Sequence, residues 1–155
     1  MDYYSGIAKG YNELHSKEQW EKIDLILKQL TNKEINSKIL DVGCGTALYN
    51  KAFPNYTGID PSKGMLKQTK ANVIQGEAEN LPFKDNEFDI IISVSAIHNF
   101  TDYKKAVKEM NRVAKNKIII TLLKKSNKFK EIKEHLKDFK QIDQKVDLIL
   151  IKHLE

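Results

Sequence analysis

Short apolar runs alternate with segments of helical spacing along most of the chain. Strands are predicted at 38–42, 56–59, 72–75, 88–94, 117–123, 139–142 and 146–151. The first and fourth runs are almost continuously apolar, as in strands that are covered on both faces of a parallel sheet. The last two alternate between apolar and polar residues, as an antiparallel pair does. The pattern therefore predicts an α/β fold with seven strands, of which the last is reversed.

Helical spacing fills the segments between the predicted strands. Helices are expected at about 18–30, 46–52, 103–114 and 128–137, with another beginning at Pro61 and Ser62, where proline suits the first turn. In the first of these helices, apolar residues recur at three- and four-residue spacing at Trp20, Ile23, Ile26, Leu27 and Leu30. One face of that helix should pack on the sheet.

The 155 residues have the size of one domain, so 1–155 is expected to be a single unit. Residues 1–36 would form a helical segment in front of a core at 37–155. Aromatic residues are frequent near the amino end, where they predict either a lid or a helix that is docked for stability.

The first predicted strand runs into a glycine-rich turn that contains Gly43 and Gly45. Glycine lets the chain turn sharply and approach a ligand closely. Asp60 lies nineteen positions after Asp41, where the second parallel strand should end, and an acidic group there can accept hydrogen bonds from a ribose diol. These residues predict a nucleoside site.

The order of residues in this turn bears on which nucleoside binds. A dinucleotide-binding turn has the pattern G-x-G-x-x-G and opens into a helix that stabilises a pyrophosphate. Here the third glycine position is occupied by Leu48, and the carboxylate of Asp41 would repel a pyrophosphate. A cationic ligand such as S-adenosylmethionine is favoured.

Five motifs in order resemble the class I S-adenosylmethionine-dependent methyltransferases, and most closely the small domain called type 11. The motifs lie at 41–47, 58–62, 76–83, 88–93 and 109–113. The resemblance spans nearly the whole chain and implies a Rossmann-like, mostly parallel seven-stranded sheet. Ala47 stands where the family usually has a third glycine.

The resemblance also implies which residues hold the cofactor. Asp41, Gly43, Cys44 and Gly45 would shape the turn beside the methionine part, with Cys44 interpreted as a small packing residue. Asp60 would bind the ribose hydroxyls, and Pro61 would add apolar packing. The remaining cofactor-side candidates are Glu77 and Ala78 near the adenine and Ser93 at the end of the fourth strand.

The acceptor should meet the transferable methyl group beyond the end of the fourth strand. The candidates there are Ser93, Ser95, His98 and Asn99. His98 has an ordinary pKa near neutrality and could act as a base, although a structural role at a helix start or in packing is the alternative. Methyl transfer is an in-line displacement, so a catalytic residue is optional.

Charge and composition also bear on the partners, metal sites and cellular location of the protein. The net charge is +5, and because Arg112 is the only arginine, lysine carries the excess. A solvated lysine-rich face or a nucleic-acid footprint would each account for it. Cys44 is the only cysteine and the four histidines lack metal-binding spacing, so neither a disulfide nor a metal site is expected. No membrane span or secretory leader is recognised, which favours the cytoplasm.

Three functions remain open from the sequence. The first is methyl transfer to a small molecule, because no RNA-binding module is recognised. The second is methylation of tRNA or a translation protein with a small partner subunit, since 93–99 is loosely similar to the strand end of tRNA wobble-uridine carboxylmethylesterifying enzymes. The third is a non-catalytic module that binds the nucleoside, or a nicotinamide enzyme with shared topology.

Overall fold

The computed structural model describes residues 17–154, so the aromatic segment predicted near the amino end lies outside the described residues. Within them, strands β1 to β7 cover Ile39–Val42, Tyr56–Asp60, Val73–Gln75, Phe88–Val94, Ala114–Leu123, Lys140–Asp143 and Asp147–His153. Helices α1 to α5 cover 17–27, Asn32–Ile35, Lys63–Leu66, Tyr103–Val113 and Phe129–His135. Two 3₁₀ helices cover Leu48–Ala52 and Ile97–Asn99.

The strands form one sheet in the order β3-β2-β1-β4-β5-β7-β6. The contacts β1–β2, β1–β4, β2–β3 and β4–β5 are parallel, whereas β7 is antiparallel to both of its neighbours. This confirms the predicted fold class and the reversed last strand. The carboxyl ends of β1, β2, β4 and β5 and the amino end of β7 therefore meet at one edge of the sheet.

Both faces of the sheet are buried, as the apolar runs predict. Ile91 packs in the cluster that contains α4 and α5, whereas Ile90 and Ile92 pack in the cluster that contains α1. In α1, Ile23 and Ile26 are fully buried, so the predicted packing of this helix on the sheet is confirmed. The alternation along β4 fixes which side chains face each layer.

Local structure differs from the sequence prediction in three places. The helix expected at 46–52 is a 3₁₀ helix, because Ala47 precedes it with a left-handed backbone, φ 58°, that an α-helix does not contain. Helix α3 has only four residues. The short helix α2 was not predicted, although Thr31 and Glu34 form the reciprocal hydrogen bonds of a capping box.

Arg112 of α4 holds the chain segment that follows β3. Its guanidinium donates to the carbonyl oxygens of Leu81 at 3.0 Å and Phe83 at 2.8 Å. Glu109 accepts from Arg112 at 2.8 Å and from the backbone N–H of Leu81 at 3.0 Å. The motif at 109–113 therefore has a structural role, since it anchors the loop that leads from the predicted adenine side to β4.

No helix between residues 17 and 154 combines the length and the apolar character that crossing a bilayer requires.

Candidate functional site

Two depressions share the glycine-rich turn at the carboxyl edge of the sheet. The larger is a cavity of about 1340 Å³ that extends from this turn to α1 and the start of β7. The smaller is a cleft of about 80 Å³ between the ends of β1 and β2 and the loop after β3. Gly43 and Asn99 line both, so the turn separates a large compartment from a small one.

The turn after β1 requires glycine at two positions. Gly43 has φ +77°, and a Cβ there would lie 2.7 Å from the Cβ of Ala96. Gly45 has φ +57°. The backbone N–H groups of Gly43 and Cys44 donate to the carbonyl oxygen of Ile59 at 2.8 and 3.0 Å, which ties the turn to β2. The turn is thus held in place by β2, and its two glycines line the larger cavity without side chains.

Asp60 is placed opposite this turn, at the end of β2. Its Oδ2 accepts from the backbone N–H of Gly45 at 2.9 Å, and its Oδ1 accepts from the backbone N–H of Ser62 at 2.8 Å. The carboxylate therefore joins the two loops that flank the predicted nucleoside site. The predicted proximity of Gly45 and Asp60 is present in the structure.

Asp41 lies at the inner wall of the larger cavity and is 1% exposed. The Tyr56 hydroxyl donates to its Oδ2 at 2.6 Å. Burial raises the pKa of Asp41 to about 7, the Tyr56 hydrogen bond opposes this rise, and the charge of Asp60 adds to it. The carboxyl group of Asp41 is therefore close to half ionised at neutral pH, and a neighbouring cation would favour its ionised form.

Cys44 and Ala47 complete the turn without supplying reactive groups. Burial raises the pKa of the Cys44 thiol, and the charges of Asp41 and Asp60 raise it further, so a thiolate nucleophile is disfavoured. Ala47 is fully buried with φ 58°, in the region that favours glycine. That backbone explains why the related family usually has glycine at this position.

The smaller cleft contains the residues that were predicted to face the adenine. Pro61, Glu77 and Ala78 line it, together with Ile59. Phe100 also lines it and was not predicted. Among the predicted residues, Ala78 is buried and Glu77 is exposed, so only the former is part of the packed wall. The cleft has the mixed apolar and acidic lining that a flat base with an amino group would need.

Of the four residues predicted on the acceptor side, one is buried below the cavity and three line it. Ser93 is fully buried and lines neither depression, because its hydroxyl donates to the carbonyl oxygen of Val42 at 2.9 Å. Ser95, His98 and Asn99 line the larger cavity. Ser95 has φ 51°, and its backbone N–H donates to the hydroxyl of Thr121 at 2.9 Å. β5 therefore holds a strained backbone at the end of β4.

His98 has a ring nitrogen, Nδ1, that is buried and has no hydrogen-bond partner among residues 17–154. Burial lowers the pKa of His98, and the charges of Lys128 and Lys22 lower it further. The imidazole is therefore neutral at physiological pH, as a proton acceptor must be.

Sequence reasoning missed several charged residues of the larger cavity, and two of them, Lys22 and Asp147, form an ion pair. Lys22 of α1 donates to the Ser95 hydroxyl at 2.8 Å and lies 3.6 Å from Oδ2 of Asp147, the first residue of β7. The two residues are 125 positions apart and no local motif links them. Only the tertiary arrangement, in which α1 covers the edge where reversed β7 begins, brings them together.

Within the part of the chain that the structure describes, no group of three or more His, Cys, Asp or Glu side chains could hold a metal ion.

Residues 40–122 match the protein family described as a methyltransferase domain. A demethylmenaquinone methyltransferase of Staphylococcus haemolyticus is 33% identical over 141 residues, which cover 79% of this chain and 59% of the relative. The chain spans about half the length of the curated relatives it matches.

Solved structures share the fold. A SAM-dependent methyltransferase from Thermotoga maritima has a TM-score of 0.71 at 17% identity, over 98% of this chain and 96% of its own. A Haloferax volcanii methyltransferase, solved in complex with the Trm112 methyltransferase activator, has a TM-score of 0.70 at 18% identity, over 93% of this chain and 78% of its own. The match to the family model covers more than half of the chain, which therefore belongs to the methyltransferase domain family of S-adenosylmethionine-dependent enzymes.

Proposed function

We propose that the chain transfers a methyl group from S-adenosylmethionine to a small-molecule acceptor. The observation that carries this proposal is the glycine turn, which lies between a small cleft of mixed apolar and acidic lining and a cavity large enough for the rest of the donor and an acceptor. The donor supplies a methyl group on a sulfonium: its S–C bond breaks, the acceptor's lone pair bonds to the carbon, and sulfur keeps the electron pair.

The residues at the turn fit this donor. Asp41 supplies an anionic group beside the turn, where an amino-acid ammonium would be balanced. Gly43 and Gly45 have no side chains, so at these two positions only backbone atoms face the donor's part of the cavity. Each oxygen of Asp60 accepts one N–H, and a carboxylate has about four acceptor positions, so two ribose hydroxyls can still donate to it.

The cleft fits the adenine end of the donor. Pro61 and Ala78 would pack on the faces of the base, and the carboxylate of Glu77 would accept a hydrogen bond from its amino group. His98 would serve as the base when the acceptor must lose a proton, because its imidazole is neutral. The other lining residues would align the two reactants and exclude water.

A small-molecule acceptor is supported by the size of the larger cavity and by the relative that is named for demethylmenaquinone. The second candidate is methylation of tRNA or a translation protein with a partner subunit. The Haloferax volcanii neighbour, which was solved with an activator protein, favours that arrangement. Retention of tRNA that falls steeply with salt would support this alternative over the first.

The proposal is tested first by isothermal titration calorimetry. S-adenosylhomocysteine should bind with a dissociation constant of about micromolar, and NAD should give no heat of binding, because Asp41 repels a pyrophosphate. Binding of NAD without S-adenosylhomocysteine would contradict the proposal. Labelled donor incubated with fractionated cell extract then separates an enzyme from a binding module, since only an enzyme transfers label.

Binding of S-adenosylhomocysteine should tighten as the pH rises from 6 to 8. Asp41 has a pKa of about 7 in the free protein, and only its ionised form balances the ligand's ammonium. Below that pKa the group must first lose a proton, so the affinity should be roughly tenfold lower at pH 6 than at pH 8. Calorimetry at several pH values measures this slope.

Two variants assign that pH dependence. Asp41→Asn should flatten the slope, whereas His98→Asn should leave it unchanged, because His98 lies on the acceptor side of the cavity. An unaltered slope in Asp41→Asn would exclude Asp41 as its source.

A further inference from the structure

Asp147 lies at the reactive edge of the sheet because β7 is reversed. β7 pairs antiparallel with β5, and Asp147 is opposite Leu123, the last residue of β5. The first residue of a reversed strand thus reaches the edge where the neighbouring strands end. Asp147 lines the larger cavity there, together with Lys22, Ser95 and His98. We refer to these four residues as the Asp147 corner.

Only one of the two carboxylate oxygens of Asp147 has a polar partner among the described residues. The residue is 4% exposed, and its Oδ2 lies 3.6 Å from the ammonium of Lys22. Its Oδ1 is buried and has no hydrogen-bond partner among residues 17–154. Burial raises the pKa of Asp147, and the charge of Lys22 opposes this rise. A buried carboxylate oxygen without a donor is unfavourable, so this corner is suited to a ligand that brings one.

The neighbouring cations do not supply the missing donor. Lys22 is held by the Ser95 hydroxyl at 2.8 Å, and Ser95 is itself fixed by Thr121. Lys124 pairs with Asp143 at 2.5 Å. The lysine at the corner already balances the charge of Asp147, and a second cation would be repelled by it. The donor that suits Oδ1 of Asp147 is therefore a neutral N–H or O–H group of a ligand.

His98 gives the corner a second unpartnered acceptor. Its Nδ1 is buried without a partner within the described residues, and its imidazole is neutral. It lies in the 3₁₀ helix that begins two residues after Ser95, so it borders the same part of the cavity. Two hydrogen-bond acceptors and one balanced ion pair would discriminate a protic ligand from its methylated analogue.

We propose that the Asp147 corner is the acceptor subsite and that Oδ1 of Asp147 binds the N–H or O–H of a neutral, protic acceptor. This inference rests on the proposed function, because it names the class of molecule that receives the methyl group. The residues at the corner differ from those that face the donor, namely Asp41, Gly43 and Asp60. The two proposals can therefore fail independently.

The test compares three small aromatic probes by NMR with ¹⁵N-labelled protein, both free and saturated with S-adenosylhomocysteine. Phenol carries a neutral O–H, anisole has a methyl group in place of that hydrogen, and benzylamine is a cation at neutral pH. Phenol should bind at least fivefold more tightly than either of the others, roughly one hydrogen bond's difference. Equal affinities for phenol and anisole, as expected if water serves Oδ1, would overturn the inference.

Variants then assign the preference to Asp147. Asp147→Ala should lose most of the preference for phenol over anisole, because only the acceptor of His98 remains at the corner. Asp138→Ala, whose carboxylate is 63% exposed and pairs with Lys152, should keep the preference. A preference for phenol that is undiminished in Asp147→Ala would contradict the assignment. If Asp147→Ala does not fold, the comparison of the three probes on the unaltered protein still shows whether the cavity prefers a neutral donor.

The donor titration keeps the two proposals apart. S-adenosylhomocysteine should bind both variants within about twofold of the unaltered protein, because neither residue faces the donor. If the unaltered protein does not bind this compound, the proposed function fails. If it binds the compound but shows no preference for phenol, only the acceptor subsite is wrong.

Discussion

Asp60→Ala should reduce the affinity for S-adenosylhomocysteine by about a hundredfold or more. The ligand would lose the two proposed hydrogen bonds from its ribose to this carboxylate, and hydrogen bonds to a charged group contribute roughly 1.5–3 kcal/mol each. The substitution also removes the acceptor for the N–H groups of Gly45 and Ser62, at 2.9 and 2.8 Å, so the two loops lose their common anchor. Calorimetry measures the affinity, and thermal unfolding measures the structural contribution.

Two controls separate these effects. Asp60→Asn keeps one carbonyl oxygen as an acceptor, so its affinity should fall between those of Asp60→Ala and the unaltered protein. Asp138→Ala removes an exposed carboxylate that is paired with Lys152 and should leave binding unchanged. An Asp60→Ala variant that binds as tightly as the unaltered protein would remove Asp60 from the proposed site.

Gly43→Ala should lower the free energy of unfolding by about 3 kcal/mol. A non-glycine residue at φ +77° is strained by roughly 1–2 kcal/mol, and crowding in a packed region adds roughly 1–3 kcal/mol. The new Cβ would lie 2.7 Å from the Cβ of Ala96, so the turn or the end of β4 must move. Urea denaturation measures the loss, and binding of S-adenosylhomocysteine by the folded fraction should weaken with it.

Matched variants test that explanation. Gly64→Ala places a Cβ no closer than 4.0 Å to the Ser62 hydroxyl in α3, so its stability should be unchanged or slightly higher. Adding Ala96→Gly to Gly43→Ala relieves the contact but not the backbone strain, so it should restore part of the lost stability. If Gly43→Ala is as stable as Gly64→Ala, the close contact is not a constraint in solution.

The strands and the first turn could be predicted because their signals are local. Ile39, Leu40 and Val42 are apolar on both faces of β1, which only a covered parallel strand requires. Gly43 and Gly45 each have positive φ. Glycine is the residue that adopts this backbone without strain, so a turn could be predicted from the two glycines alone. The alternation in the last two strands identified an antiparallel pair, and β7 is antiparallel to its two neighbours.

The rest depends on contacts that local patterns do not encode. Lys22 resembled any polar residue on an amphipathic helix, and Asp147 resembled any polar residue of the alternating strand predicted at 146–151. Their pairing follows from the placement of α1 and β7 over the same edge. Ser93 was expected beside the cofactor because it ends an apolar run, yet its hydroxyl is directed to β1. Sequence position gives the strand end but not the side that a side chain faces.

The reversal of β7 also has a consequence for biosynthesis. The glycine turn and Asp60 are synthesised before Asp147, which follows Asp60 by 87 positions and lies in the strand that inserts between β5 and β6. A nascent polypeptide therefore contains every donor-side residue long before Lys22 obtains its ionic partner. The order of translation delays completion of the cavity until the hairpin of β6 and β7 has joined the sheet.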